Sequence, residues 1–188
     1  LVQDGDGIDY AQLVAEYTHR GLKIKHLILE NNSGPGVARQ YGMDSDSMCD
    51  YFMFLDSDDM LTPRAIEVLY REAKQQDADL LCSDFICERN HQPGYLMRWQ
   101  DTPATWMHGK IYKASFLKEK NIRFCPDIRL NEDSYFNLVV VNSTTNRIGI
   151  NEVTYIWRDN PQSLTREGED FFIKGGIQYI KAQIRGIM

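Results

Sequence analysis

The sequence predicts an α/β domain built on a mostly parallel, twisted sheet flanked by helices. Two observations predict it. Apolar runs of strand length alternate with helical-period segments through the first hundred residues, the pattern of successive βα units. In addition, an unbroken apolar run over residues 51–55 ends abruptly in Asp56, Asp58 and Asp59. A short apolar run bounded by polar residues reads as a strand buried on both faces, as in parallel sheets.

The elements follow in order. Leu1 and Val2 read as the end of a strand, and DGDGID as a turn. Residues 10–20 carry Leu13, Val14 and Tyr17 at helical spacing. Residues 24–29 read as a second strand and 35–43 as a short helix introduced by NNSGPG. After the acidic strand, Pro63 opens a helix to about Gln75 with Ile66, Leu69 and Tyr70 on one face. Residues 80–87 form another strand. The second half is less regular: a turn at 91–94, an antiparallel strand at 95–99, and helices at 114–120 and 133–141. Strands at 148–150 and 153–158 and a terminal helix at 170–188 complete it. Repeats and low-complexity stretches are absent, and residues 1–188 read as one domain.

Bulk properties narrow the function. An apolar fraction of 43% over 188 residues supports one substantial core, and no run reaches transmembrane length. The net charge of −6, without a Lys/Arg cluster, argues against nucleic acid and against a polybasic membrane patch. Cys49, Cys82, Cys87 and Cys125 lack the paired spacing of a zinc site and read mostly as reduced core thiols of a cytoplasmic protein. The chain opens on the tail of a strand and not on Met. We therefore expect an upstream portion, with any targeting segment it holds.

The acidic cluster carries the chemistry. In open α/β sheets ligands bind beyond the carboxyl ends of strands. Three carboxylates crowded there repel one another unless a cation sits among them. Mg²⁺ or Mn²⁺ takes oxygen ligands and bridges acids to phosphorylated substrates, so a metal-bound diphosphate is the expected ligand. Helix capping by Asp59 or Thr62 is the plainer reading, but it explains one acid and not three.

Four ordered motifs, VQDGDG, GPGVARQYGMD, FLDSDD and NEDSYF, resemble those of the inverting, bacterial-type nucleotide-sugar glycosyltransferases with the GT-A fold. The resemblance covers nearly the whole chain. It implies a GT-A-like (Rossmann-like) sheet, a nucleotide-binding half at 1–100 and an acceptor-binding half at 101–188, divided near Asp101. It also implies transfer of a sugar, with inversion, from a nucleotide-diphosphate donor (a UDP-sugar favoured) to a saccharide or glycoconjugate acceptor. The setting would be surface polysaccharide synthesis, in the cytoplasm or at the inner face of the membrane.

The resemblance also distributes roles. Asp58 would ligate Mn²⁺ or Mg²⁺, and Asp56 would share the metal or hold the ribose. Asp59 is a support or a helix cap. Asp4, with Asp6 as a second candidate, would contact the base, although the family usually has Ser or Asn at position 6. Arg39 would support the nucleotide site behind Gly34-Pro35-Gly36, where glycines admit close approach and a helix start favours anions. Asp133 would be the general base, with Glu132 as the alternative. Carboxylates at a helix start are also stabilising in themselves. His108 would meet the diphosphate or the acceptor. Arg158, with Ser163 and Thr165, resembles a loop closing over the diphosphate. Trp99 and Trp106 suit sugar stacking, with core packing as the other use.

Other classes fit less well. A haloacid-dehalogenase-type phosphohydrolase places Gly-Thr after its acids, where this chain has Asp59-Met60. A sugar-phosphate nucleotidyltransferase shares the sheet but wants a Gly-rich, basic loop after its first strand. A catalytically inactive sugar- or nucleotide-binding domain has no reason to keep three repelling acids beside Asp133.

Overall fold

A computed structural model describes residues 1–46, 48–88, 96–100 and 102–160. The expected turn at 91–94, the terminal helix at 170–188, and Ser163 and Thr165 lie outside the described residues. The elements run β1 (Val2–Asp4), α1 (Ala11–His19), β2 (Leu27–Leu29), α2 (Pro35–Asp44), β3 (Tyr51–Met53), β4 (Met60–Leu61) and α3 (Ala65–Gln75). They continue with β5 (Leu80–Glu88), β6 (Leu96–Trp99), β7 (Lys110–Lys113), α4 (Ala114–Glu119), α5 (Glu132–Ser143) and β8 (Arg147–Trp157).

β1 and β2 pair in parallel as a two-stranded sheet. The remaining strands form a second sheet in the order β3-β7-β5-β8-β4, with β6 also on β5. Among the described residues of this sheet, only β5 and β8 pair in parallel; β7 pairs antiparallel with β3 and β5, β4 with β8 and β6 with β5. The α/β class is as expected. The prediction of mostly parallel pairing gives way to a mixed sheet, because the second half returns strands antiparallel between the first-half strands.

The apolar acidic strand differs from its reading. β3 covers only Tyr51–Met53, each partly buried, and it lies at the end of its sheet. The strand covered on both faces is β5. Leu80 and Cys82 join a cluster with Phe116, Leu117, Phe136 and Val140 from α4 and α5. Leu81, on the opposite face, joins Leu69 and Ala73 of α3. Side chains alternate along a strand, so one strand anchors helices on both sides. Each such fully buried Leu or Phe contributes about 1.5–3 kcal/mol. Of the four cysteines, Cys82 alone is buried.

Two short elements set the site's walls. Gly34, at φ 91°, precedes Pro35 at the start of α2. Asn131, at φ 59°, precedes α5 and places Glu132 and Asp133 in its first turn. α2 and α5 approach closely at Gly36, where a Cβ would lie 3.0 Å from Glu132 Cγ.

Candidate active site

The turn after β3 carries the three aspartates. Asp59 N–H donates to the Asp56 carbonyl at 3.1 Å, which tightens the turn. The Tyr155 hydroxyl donates to Asp59 Oδ2 at 2.6 Å, and the Arg158 amide donates to Oδ1 at 2.9 Å. Burial, reinforced by Asp56 and Asp58, pushes the Asp59 carboxyl up to about 6. Asn160 Nδ2 donates to Asp58 Oδ2 at 2.7 Å. Asp59 is thus a support, while Asp58 and Asp56 present the remaining oxygens.

Arg39 links this turn to α5. Its Nη1 lies 2.6 Å from Glu132 Oε1 and its Nη2 2.5 Å from Asp56 Oδ1. A planar guanidinium suits two carboxylates approaching from different sides. The Arg39 and Glu132 side chains are 14% and 8% exposed, against 42% for Asp56. Burial disfavours the Arg39 charge, but Asp56 and Glu132 outweigh it and hold the pKa above the ordinary value. Burial raises the Glu132 carboxyl, Arg39 opposes, and neighbouring Asp133 adds to the rise. Asp133 is likewise raised by burial against the pull of Arg39. Glu132 is committed to the ion pair with Arg39.

At the β1 end, Asp4 accepts from the Ser33 and Gly34 amides at 2.7 and 2.8 Å, which clamps the loop before α2. Asp6 accepts from the Ile8 amide at 3.0 Å, from Gln3 Nε2 at 2.5 Å and from the Tyr10 hydroxyl at 2.9 Å. The Ile8 amide leads in holding its carboxyl below the usual range. Both acids therefore shape the turn they were expected to read a base from. Gly5 permits that shape: at φ 62°, a Cβ there would lie 2.3 Å from Asn31 and Asn32 backbone atoms.

His108 sits among aromatic rings, stacked on Trp157 at 4.9 Å and 5.0 Å from Tyr155. Burial pulls its pKa down to about 4, so the imidazole is neutral near pH 7. Arg158 reaches the acidic turn through its backbone, while its guanidinium lies 3.8 Å from Glu88.

Sequence reasoning missed the network beneath Asp133. Lys110 is fully buried, donating to the Pro103 and Ala104 carbonyls and to Asn137 Oδ1 at 2.9–3.1 Å. The Tyr112 hydroxyl donates to the same Oδ1 at 2.8 Å, and Asn137 Nδ2 donates to the Asp133 carbonyl at 2.8 Å. Burial lowers the Lys110 pKa to about 8. The available signal was a Lys and an Asn inside otherwise apolar stretches. Tyr155, a polar end inside β8, gave a similar sign.

Arg39, Asp56, Glu132 and Asp133 thus converge, with Asp58, Asp59 and His108 alongside; Asp4 and Asp6 stand at the neighbouring β1 turn. Among the described residues no three His, Cys, Asp or Glu side chains group as a metal site. The oxygen-only donors of Asp58 and Asp56 nonetheless match a hard divalent cation in kind.

The sequence model of the family described as Glycosyl transferase family 2 matches residues 1–138. The chain belongs to glycosyl transferase family 2. Among relatives, the uncharacterized glycosyltransferase EpsJ of Bacillus subtilis (strain 168) is 26% identical over 185 residues, covering 88% of this chain and 53% of EpsJ. Crystal structures of S. aureus TarS 1-349 share the fold. The complex with UDP-GlcNAc matches at TM-score 0.71 and 17% identity over 94% of this chain and 56% of TarS. The complex with UDP matches at 0.69 and 18%, over 95% and 53%. The chain spans about half the length of each of these proteins. No described helix is long and apolar enough to cross a membrane.

Proposed function

We propose that this chain carries the donor site and general base of an inverting transferase that moves a sugar from a nucleoside-diphosphate donor to a saccharide acceptor. The observation that carries the reading is the double ion pair of Arg39, which ties the acidic turn to the first turn of α5 and so brings Asp58 and Asp133 to one site. UDP is the favoured nucleotide, in keeping with the TarS complexes.

The acceptor oxygen attacks the anomeric carbon as the bond to the diphosphate oxygen breaks. Asp133 takes the hydroxyl proton, a role suited to a carboxyl raised towards working pH by burial. One in-line displacement inverts the anomeric centre. Asp58, with Asp56, would hold Mn²⁺ or Mg²⁺, which when bound neutralises charge on the departing diphosphate. Arg39 keeps Asp56 aligned, and the β1 turn with Asp4 and Asp6 frames the nucleoside end. Arg158 flanks the diphosphate, and His108 borders the acceptor. Surface polysaccharide or glycoconjugate synthesis is the proposed setting, in the cytoplasm or at the inner membrane face.

Calorimetric titration of UDP, GDP and dTDP, with Mn²⁺ and then with EDTA, tests the donor site. Binding of one nucleotide that EDTA abolishes is the expected result. Binding indifferent to EDTA removes the metal, and no nucleotide binding by the full-length protein overturns the reading.

A further inference from the structure

All three tryptophans of the chain, Trp99, Trp106 and Trp157, meet in one cluster with His108, Phe85 and Tyr155. Trp99 lies parallel to Phe85 at 6.0 Å, Trp106 crosses Trp157 at 5.5 Å, and Trp157 stacks on His108. Phe85 and Tyr155 are buried beneath, whereas the three tryptophans and His108 remain partly exposed.

Three features separate this cluster from ordinary core. The tryptophans and His108 belong to neither apolar core cluster. Trp99 Nε1 and His108 Nδ1 are shielded from water yet have no hydrogen-bond partner, although buried indoles normally find one. Finally, the cluster adjoins the acidic turn, since Tyr155 contacts His108 and donates to Asp59. The field of Asp56 also reaches His108.

We infer that this aromatic wall is the subsite for the acceptor's sugar ring. The inference rests on the transferase reading and adds the acceptor's place to it. A pyranose offers an apolar C–H face that stacks on the partly exposed indole rings. The wall stands beside the turn where the anomeric carbon would lie.

Because every tryptophan of this chain lies in the wall, its emission reports on the site alone. The probes are methyl β-glucoside, methyl β-galactoside and methyl β-N-acetylglucosaminide, titrated into the 188-residue chain to about 100 mM, as weak single-ring binding requires. At least one glycoside is expected to shift the emission saturably. Trp106→Ala is expected to weaken that binding about ten-fold while the UDP affinity stays unchanged. UDP binding with no glycoside response overturns the subsite and leaves the transferase reading standing. A glycoside response without UDP binding supports the wall as a sugar site and overturns the donor reading. Equal glycoside affinity in wild type and Trp106→Ala, both folded by circular dichroism, also overturns the subsite.

Discussion

Tyr155 and Asp59 stand 96 residues apart in sequence, and the phenol donates to the carboxylate at 2.6 Å. The same oxygen lies 3.4 Å from the Asp56 amide. One residue of the last described strand therefore braces the whole acidic turn. Tyr155→Phe is expected to lower stability by about 1–2 kcal/mol, the cost of a lost bond to a charged group. Urea unfolding measures it, and an unchanged midpoint would show that the turn stands without the brace.

Arg39 is buried against Glu132 more deeply than against Asp56, so its removal chiefly strands Glu132. Arg39→Ala should cost about 3 kcal/mol, as expected when a buried pair is broken from one side. Adding Glu132→Gln should restore about 1 kcal/mol by removing the stranded charge. A double variant no more stable than the single one would contradict this coupling.

Asp133→Asn keeps the shape of the side chain but cannot accept a proton. Turnover should fall by about 10²–10⁴-fold with nucleotide affinity retained. Transfer at the wild-type rate would assign the base elsewhere, with Glu132 the next residue to test.

Asp58→Ala should abolish the Mn²⁺-dependent part of nucleotide binding, since it removes the proposed metal's principal ligand. Equal affinity with and without chelator, in both wild type and variant, would eliminate the metal role.

His108 gives a pH signature. Its folded pKa of about 4 lies below the ordinary value of 6.5, mainly through burial. Between those values the unfolded chain binds more protons, so stability rises with pH. This contribution is fully present above about pH 6.5 and is lost as pH falls through 4, amounting to roughly 3 kcal/mol. His108→Phe should flatten the wild-type difference in unfolding free energy between pH 7.5 and 4.5. An unaltered pH profile would mean that the ring is more solvated than its aromatic surroundings suggest.

The helices and the acids were legible in the sequence because their signals are local. Pro35 and Pro63 opened the predicted helices, and the apolar run before Asp56 marked a strand end. Sheet order was not legible. An apolar run does not distinguish a central strand from an end one, so β3 was read as doubly buried while β5 holds that place. β7 escaped because Lys110 begins it, and a lysine whose charge is met by two carbonyls and an amide carries no local sign of burial. β8 was read as two strands. Its pairing with β5 jumps from Ile150 to Val153, and exposed Asn151 and Glu152 fill the bulge. The meeting of Arg39 with Glu132 joins residues 93 apart, beyond the reach of any periodicity.

The placement of β8 also orders events during synthesis. β5 leaves the ribosome long before Arg147–Trp157, its parallel neighbour, and parallel pairing across such a separation forms late. Asp59 and the amide of Asp56 wait for Tyr155, and β4 waits for Tyr155 and Ile156. A nascent chain halted in the first half thus has its aspartates but no braced turn to hold them. Competence for a ligand there arrives in a late step, when β8 docks.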